Sequence, residues 1–328
     1  MATSNEPGSG KKPIPPAPDP TQRREPLPSE QPKSKAEDPD APARIKAILK
    51  SSGYRRADKD LDFFAEPPLR GIRLQIDYLK PELRLEKRAI RHTIVVFGST
   101  RISEPQAAQR KVDGLKASLK RDPNNKDWAA RLAVAERILA KSKYYDVARA
   151  FGRLVGEAGK TAEGPHCTIV TGGGPGIMEA ANRGAFDAQA ESVGLNISLP
   201  HEQYPNPYIS PDLCFDFHYF AIRKLHFLLR AKALVAFPGG YGTFDELFEA
   251  LTLVQTRKMK PIPIILVGEE YWRQAANVDF LAKEGVIDPE DQELFWFAET
   301  AEEIWDSILR WYDMSGEPLD GYDAMSRV

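Results

Sequence analysis

The chain has 328 residues, a formal net charge of -2 and two cysteines, a length that suits one large α/β domain with appendages or two smaller domains. The near-neutral total, with no dense Lys/Arg stripe outside the N-terminal tail, points away from a nucleic-acid partner, and the isolated Cys167 and Cys214 make neither a disulfide framework nor a CxxC metal site. No apolar run reaches the roughly 18 residues of a membrane helix and no apolar leader opens the chain, so a cytoplasmic protein without membrane association is expected.

Residues 1–42 hold 11 of the 27 prolines and almost no large apolar side chain, a composition expected to stay a disordered tail with polyproline-like stretches. Residues 43–90 carry apolar positions near helical spacing and predict a helical extension. The main domain is expected over 91–328. Its first strand is 92–99 (HTIVVFGS), ending in Gly-Ser. A polar helical excursion follows over about 104–145, broken at Asp122-Pro123-Asn124-Asn125, and a crossover helix leads on to the second strand at 167–174 (CTIVTGGG). A helix over 175–190 and strands at 192–199 and 213–217 come next. A helix over 219–231, a strand at 233–237, a helix over 244–255 and a strand at 262–267 complete the alternation. Helices near 271–284 and 299–312 close the chain, with a fraying end. Short apolar strands separated by helices predict an α/β fold: a Rossmann-like, doubly wound, mostly parallel sheet with helices on both faces.

Ligands of such sheets bind beyond the carboxyl ends of the strands, where this chain has two glycine turns, each opening a helix. Free backbone N–H groups, the helix dipole and the small glycine together favour a phosphate there. The first turn is Thr171-Gly172-Gly173-Gly174-Pro175-Gly176-Ile177-Met178. It fails the dinucleotide fingerprint, because the third glycine would fall at Ile177, and it lacks the Gly-Lys-Ser/Thr of a P-loop, so NAD and ATP are disfavoured. The second is Pro238-Gly239-Gly240-Tyr241-Gly242-Thr243-Phe244-Asp245-Glu246. Thr243 is read as a helix cap or a phosphate ligand. Glu246, three residues on, either closes a capping box or faces a sugar. Upstream, Arg223 and Lys224 form a solvated helix face or a surface ion pair, or else Arg223 lies at the substrate, where its fork holds phosphate or polarises a leaving base.

Taken together, PGGxGTxxE at 238–246, the preceding Arg223-Lys224 pair and the Gly172-Gly173-Gly174-Pro175-Gly176-Ile177-Met178 turn resemble the LOG (Lonely-guy) family, formerly called lysine decarboxylase-like. The resemblance covers about residues 92–270. The chain departs from the common pattern in the Phe220-Ala221-Ile222 that precedes Arg223, in Asp245, in its N-terminal extension, and in the last glycine of the first turn, one place early. The resemblance implies a phosphoribohydrolase that splits purine nucleoside 5′-monophosphates, AMP or N6-modified AMP such as cytokinin ribotides, into free base and ribose 5-phosphate. It implies that Arg223 and Glu246 are the catalytic pair and that the chain forms dimers or larger assemblies.

Cleaving a ribosyl C–N bond builds positive charge on the ribose and negative charge on the leaving base. Glu246 suits the first need, and Arg223 suits the second or clamps the phosphate. Substrate contacts are expected from Gly172, Gly173, Gly174, Gly176, Lys224, Gly239, Gly240, Tyr241, Gly242 and Thr243. No cofactor or metal is called for, since the histidines lack ligand spacing. Tyr241 and Phe244 are candidates for stacking on the base or for the core. The rival readings are a non-catalytic nucleotide- or cofactor-binding protein of the same fold, and a pyridoxal-phosphate decarboxylase with Lys224 or Lys232 as its Schiff-base lysine.

Overall fold

A computed structural model of the chain describes residues 14–17, 19, 21–22, 25–160, 164–198 and 204–319. Seventeen of the 42 residues of the expected disordered tail, and residues 320–328 of the expected fraying end, lie outside the described residues, whereas the first α-helix begins at Ala41, inside the expected tail, and the last helix runs on to Ser315. The chain divides into two units, Met1–Arg70 and Gly71–Val328, so the segment read as one extension, 43–90, splits at Arg70.

The first unit contains α1 (Ala41–Lys50) and α2 (Leu61–Ala65). The Asp60 carboxylate caps α2 by accepting from Phe63 N at 3.2 Å, and Arg55 bridges Asp60 and Asp62 at 3.0 Å each.

The second unit opens within α3 (Arg70–Lys87), from Gly71 on, and is built on a seven-stranded sheet. Its strands are β1 (Thr93–Phe97), β2 (Thr168–Thr171), β3 (Ser192–Ile197), β4 (Cys214–Phe217), β5 (Ala231–Ala236), β6 (Ile264–Val267) and β7 (Trp296–Ala298). Every neighbouring pair is parallel and the order is β4-β3-β2-β1-β5-β6-β7. The remaining helices are α4 (Pro105–Arg121), α5 (Lys126–Lys141), α6 (Lys143–Ala158), α7 (Ile177–Asp187), α8 (Phe220–Leu228), α9 (Tyr241–Gln255), α10 (Glu269–Ala275), α11 (Val278–Lys283) and α12 (Ala301–Ser315). The expected doubly wound α/β sheet is what the chain forms.

The alternation inside β1 shows why its run is apolar throughout. Ile94 and Val96 pack with Phe151 and Val155 of α6, Ala181 of α7 and Ile304 and Ile308 of α12. Val95 and Phe97 point to the opposite face, among Leu85 of α3, Phe227 of α8 and Leu247 and Val254 of α9. Successive strand residues face opposite sides, so a strand covered on both sides needs an apolar residue at every position. Phe227 meets Phe97 edge-on at 4.8 Å between ring centroids, a geometry adding about 0.5–1.5 kcal/mol to the burial itself.

Boundaries shift where a local cap overrides periodicity. The helix expected from Phe244 begins at Tyr241, because the extended Gly240 serves as its N-cap. The one expected from Pro175 begins at Ile177, after Gly176 at φ 75°. The helix expected over 219–231 ends at Leu228, and Ala231 already belongs to β5. The pair expected near 271–284 and 299–312 is three helices, α10, α11 and α12. β7 has three residues, too few for an apolar run to declare itself as a strand. Among the described residues no helix is long and apolar enough to cross a membrane.

Candidate functional site

Strand order reverses between β1 and β5, the switch point at which an open α/β sheet has its crevice. Three loops meet there. Ser99, just after β1, donates its N–H to the Pro238 carbonyl at 3.0 Å, and its own carbonyl accepts from Ile177 N at 3.2 Å. One residue therefore ties both glycine turns together. Sequence reasoning passed over it; the Gly98-Ser99 step at the end of the first apolar strand was the available signal.

The first turn is tightly built. Gly173 sits at φ +71°, and a Cβ there would lie 1.8 Å from Asn196 Oδ1. Gly176 sits at φ +75°, where a Cβ would meet the Ser99 carbonyl at 2.4 Å. Beneath it runs a buried polar network that the sequence did not announce. Asn206 donates from N to the Gly173 carbonyl at 2.8 Å and from Nδ2 to the Gly174 carbonyl at 3.1 Å. Asn182 Oδ1 accepts from Thr171 Oγ1 at 2.7 Å and from Asn206 Nδ2 at 3.0 Å. Such a network fixes the turn's shape before any ligand arrives. Gly173→Ala is expected to destabilise the fold by at least about 1–3 kcal/mol, the ordinary cost of a strained backbone conformation, with the Asn196 clash in addition. Calorimetric melting checks this; an unchanged Tm contradicts the left-handed turn.

The second turn is open where the first is closed. A Cβ on Gly239 would strike Thr243 Oγ1 at 2.1 Å, whereas at Gly240 and Gly242 it would meet nothing within 4 Å. Packing within the protein therefore leaves room beside Gly240 and Gly242, next to the outward-pointing N–H groups of the first turn of α9. The Tyr271 hydroxyl donates to the Gly239 carbonyl and steadies the loop. With Gly240 as N-cap, Thr243 is the third residue of α9 and makes no side-chain cap, and Glu246 lies in the second turn. The capping-box reading of Glu246 is thereby excluded. Tyr241 is fully exposed, whereas Phe244 packs on Trp272 at 5.3 Å and belongs to the core.

The charged residues come together across the α8–α9 contact. Glu246 is 5% exposed. Arg223 Nη2 lies 3.5 Å from Glu246 Oε1, and Lys224 Nζ lies 3.4 Å from Glu246 Oε2, 2.8 Å from Asp245 Oδ2 and 3.1 Å from Glu249 Oε2. The surface reading of the Arg-Lys pair fails, since both side chains are largely buried. Lys224, expected among the phosphate and ribose contacts, is taken up by three carboxylates. Arg223 is not saturated: its buried Nε has no hydrogen-bond partner, and its guanidinium lies over the Phe220 and Phe227 rings at 5.1 and 5.5 Å. The first glycine turn reaches this cluster through Phe227, whose Cζ would lie 4.0 Å from a Cβ on Gly172.

Burial pushes the Glu246 carboxyl above its usual range, and the cations of Lys224 and Arg223 offset this only in part. Burial likewise lowers Arg223, against the pull of Glu246. Burial also acts to lower Lys224, but its carboxylate partners outweigh that and raise it. Among the described residues no group of His, Cys, Asp and Glu has the makings of a metal site.

The model of the family described as possible lysine decarboxylase matches residues 178–308, a stretch that contains Arg223, Lys224 and Glu246. The chain is 28% identical over 168 residues to the cytokinin riboside 5′-monophosphate phosphoribohydrolase LOG3 of Arabidopsis thaliana, covering 50% of this chain and 74% of the relative. The probable cytokinin riboside 5′-monophosphate phosphoribohydrolase LOGL3 of Oryza sativa subsp. japonica is 27% identical over 152 residues, covering 43% of this chain and 67% of the relative. Over this stretch the chain is similar to the LOG family. The matched stretch begins at Met178, so β1, β2 and the glycines of the first turn precede it. Among solved structures, the molybdenum cofactor binding protein of Rippkaea orientalis is 20% identical and covers 51% of this chain and 87% of that one, at a TM-score of 0.36. A likeness that loose bears on nothing that follows.

Proposed function

We propose that this chain is a LOG-type phosphoribohydrolase, which hydrolyses the N-glycosidic bond of purine nucleoside 5′-monophosphates, AMP or its N6-modified forms, releasing free base and ribose 5-phosphate. The observation that carries the reading is the buried Arg223–Glu246 pair beside an open glycine turn at the sheet's switch point. The N–H groups of Gly240, Tyr241 and Gly242, with Thr243 and the turn from Gly172 to Gly176, hold the 5′-phosphate. Glu246 faces the anomeric carbon, stabilises the oxocarbenium-like transition state and orients the attacking water. Arg223 has a free buried donor and keeps its proton, so it assists the departing base electrostatically or fixes the phosphate. Lys224 serves as counter-charge to Glu246. Assembly into dimers or larger oligomers, and a cytoplasmic location, belong to the same proposal.

The decarboxylase reading is poorly supported, because a Schiff-base lysine must reach its neutral form and the carboxylates around Lys224 hold it protonated. The non-catalytic alternative is weighed by turnover. Purified protein incubated with AMP, GMP, CMP, UMP and isopentenyl-AMP is expected to release base from the purine nucleotides and not from the pyrimidine ones. Bound but intact nucleotide throughout the panel would overturn the proposal.

The reactive form of Glu246 is ionised, so activity falls as pH drops through its raised pKa, and the acid limb of the rate profile lies above 4.5. Lys224→Met removes a neighbouring cation while leaving Glu249 in place, so it should move that limb to still higher pH. A limb that stays put in the variant detaches Lys224 from the ionisation of Glu246.

A further inference from the structure

The backbone that opens α8, four residues before Arg223, is bonded to α3, a helix that precedes both the stretch matched by the family model and the residues that carry the resemblance. The Asp77 carboxylate accepts from His218 N at 3.2 Å and from Tyr219 N at 3.0 Å. Tyr219 is the N-cap of α8 and its own side chain makes no cap, so this end of the helix is finished by a residue of another element. An anion at that end also suits the helix dipole. The Tyr219 carbonyl in turn accepts from Arg223 N at 3.2 Å, which places Arg223 one hydrogen bond from the Asp77 anchor. Arg73 Nε adds a bond to the Tyr219 hydroxyl at 3.3 Å.

The far end of α8 is gripped as well. The buried His226 ring meets the Tyr78 carbonyl through Nε2 at 3.1 Å, and its Nδ1 lies 3.5 Å from Glu82 Oε1. Just past the helix, Arg230 pairs with both oxygens of Glu82, at 3.0 Å for Nη2–Oε2, and donates from Nε to the Ile90 carbonyl at 3.2 Å. Arg223 sits between the two anchors. Among the described residues its guanidinium makes one ion pair, at 3.5 Å, leaves Nε without a hydrogen bond and rests on Phe220 and Phe227, both also on α8, so the helix backbone largely sets where it points.

We infer that Asp77 and Glu82 of α3 are positioning residues that set the register of α8 and hence the aim of the Arg223 guanidinium. The inference rests on the functional reading above for its kinetic consequence and on the hydrogen bonds alone for its structural one. A displacement of about 1 Å in a catalytic group is enough to cost roughly 100-fold in rate. Asp77→Ala is therefore expected to lower kcat for AMP by roughly 10- to 100-fold while KM changes much less, and Asp77→Asn, which keeps an acceptor, to recover most of the loss. Arg88→Ala, just past the end of α3, whose side chain pairs with the half-exposed Glu191 and the exposed Asp212, is the control for general loosening and is expected to match wild type.

Hydrogen exchange supplies a readout independent of turnover. In Asp77→Ala the amides of residues 218–230 are expected to exchange faster while those of β1 and β5 keep their protection. Faster exchange confined to α8, together with the kcat loss and its rescue by Asn, supports the inference. Unchanged exchange at 218–230, or a folded Asp77→Ala protein with wild-type kcat, overturns it. If the wild-type protein turns over no nucleotide, the functional reading has failed and the exchange result alone decides whether α3 sets α8.

Discussion

Glu246→Gln is expected to keep nucleotide binding and to lose turnover by roughly 100- to 10,000-fold, the range associated with removing a general base. Gln preserves the shape of a side chain that is 5% exposed, so the glycine turns and their N–H groups stay as they are. What disappears is the negative charge that the developing oxocarbenium ion needs and the acceptor that orients water. Stability is expected to move the other way. The folded-state pKa of Glu246 is raised, so the native protein binds this proton more tightly than the unfolded chain. Native stability therefore falls as pH rises from the ordinary carboxylate range through the raised value, and the full cost is present above it. Gln carries no such cost, so the variant's Tm should equal or exceed that of wild type at neutral pH, with the difference shrinking toward pH 4.5. Wild-type turnover in a folded Glu246→Gln protein would remove the carboxylate from the reaction. A large drop in Tm would mean that its pairing with Arg223 and Lys224 outweighs its burial.

Arg223→Ala is expected to reduce kcat/KM by roughly 100- to 1,000-fold, comparable to removing one preorganised donor from a site that stabilises developing charge. Two effects combine. The cation next to the departing base or the phosphate is gone, and Glu246 loses one of the two charges that oppose its protonation, which moves the acid limb upward as well. Arg223→Lys separates charge from geometry, because it restores the cation without the planar fork. Recovery of most of the activity by Lys would mean that point charge suffices. Little recovery would mean that the fork, resting on Phe220 and Phe227, is what the reaction uses. An unchanged rate in Arg223→Ala takes Arg223 out of the site.

The features legible in the sequence were those with a local signature. β1, β5 and β6 announce themselves because a strand buried on both faces must be apolar at every position, and both glycine turns do so because a strand-to-helix turn at a crevice draws on small residues. Arg223 and Glu246 were legible as a catalytic pair only through the family resemblance; their burial and their contact at 3.5 Å across α8 and α9 were not, since these depend on how two helices cross the same sheet face. Glu246 also shows a limit of spacing arguments. Its distance from Thr243 fits a capping box, yet Gly240 starts the helix three residues earlier and leaves Glu246 free to face Arg223. Ser99, Asn182, Asn206 and Asp77 were not legible as site-shaping residues, because each acts through a backbone group or buried side chain far away in the chain.

The most direct test of the central claim is a product balance on AMP, with adenine and ribose 5-phosphate quantified from the same reaction of the purified wild-type protein. Equal amounts of the two, rising together with time, are the predicted result. Adenosine with inorganic phosphate would place cleavage at the wrong bond, and AMP recovered intact from a protein that binds it would make this chain a nucleotide-binding protein without the chemistry.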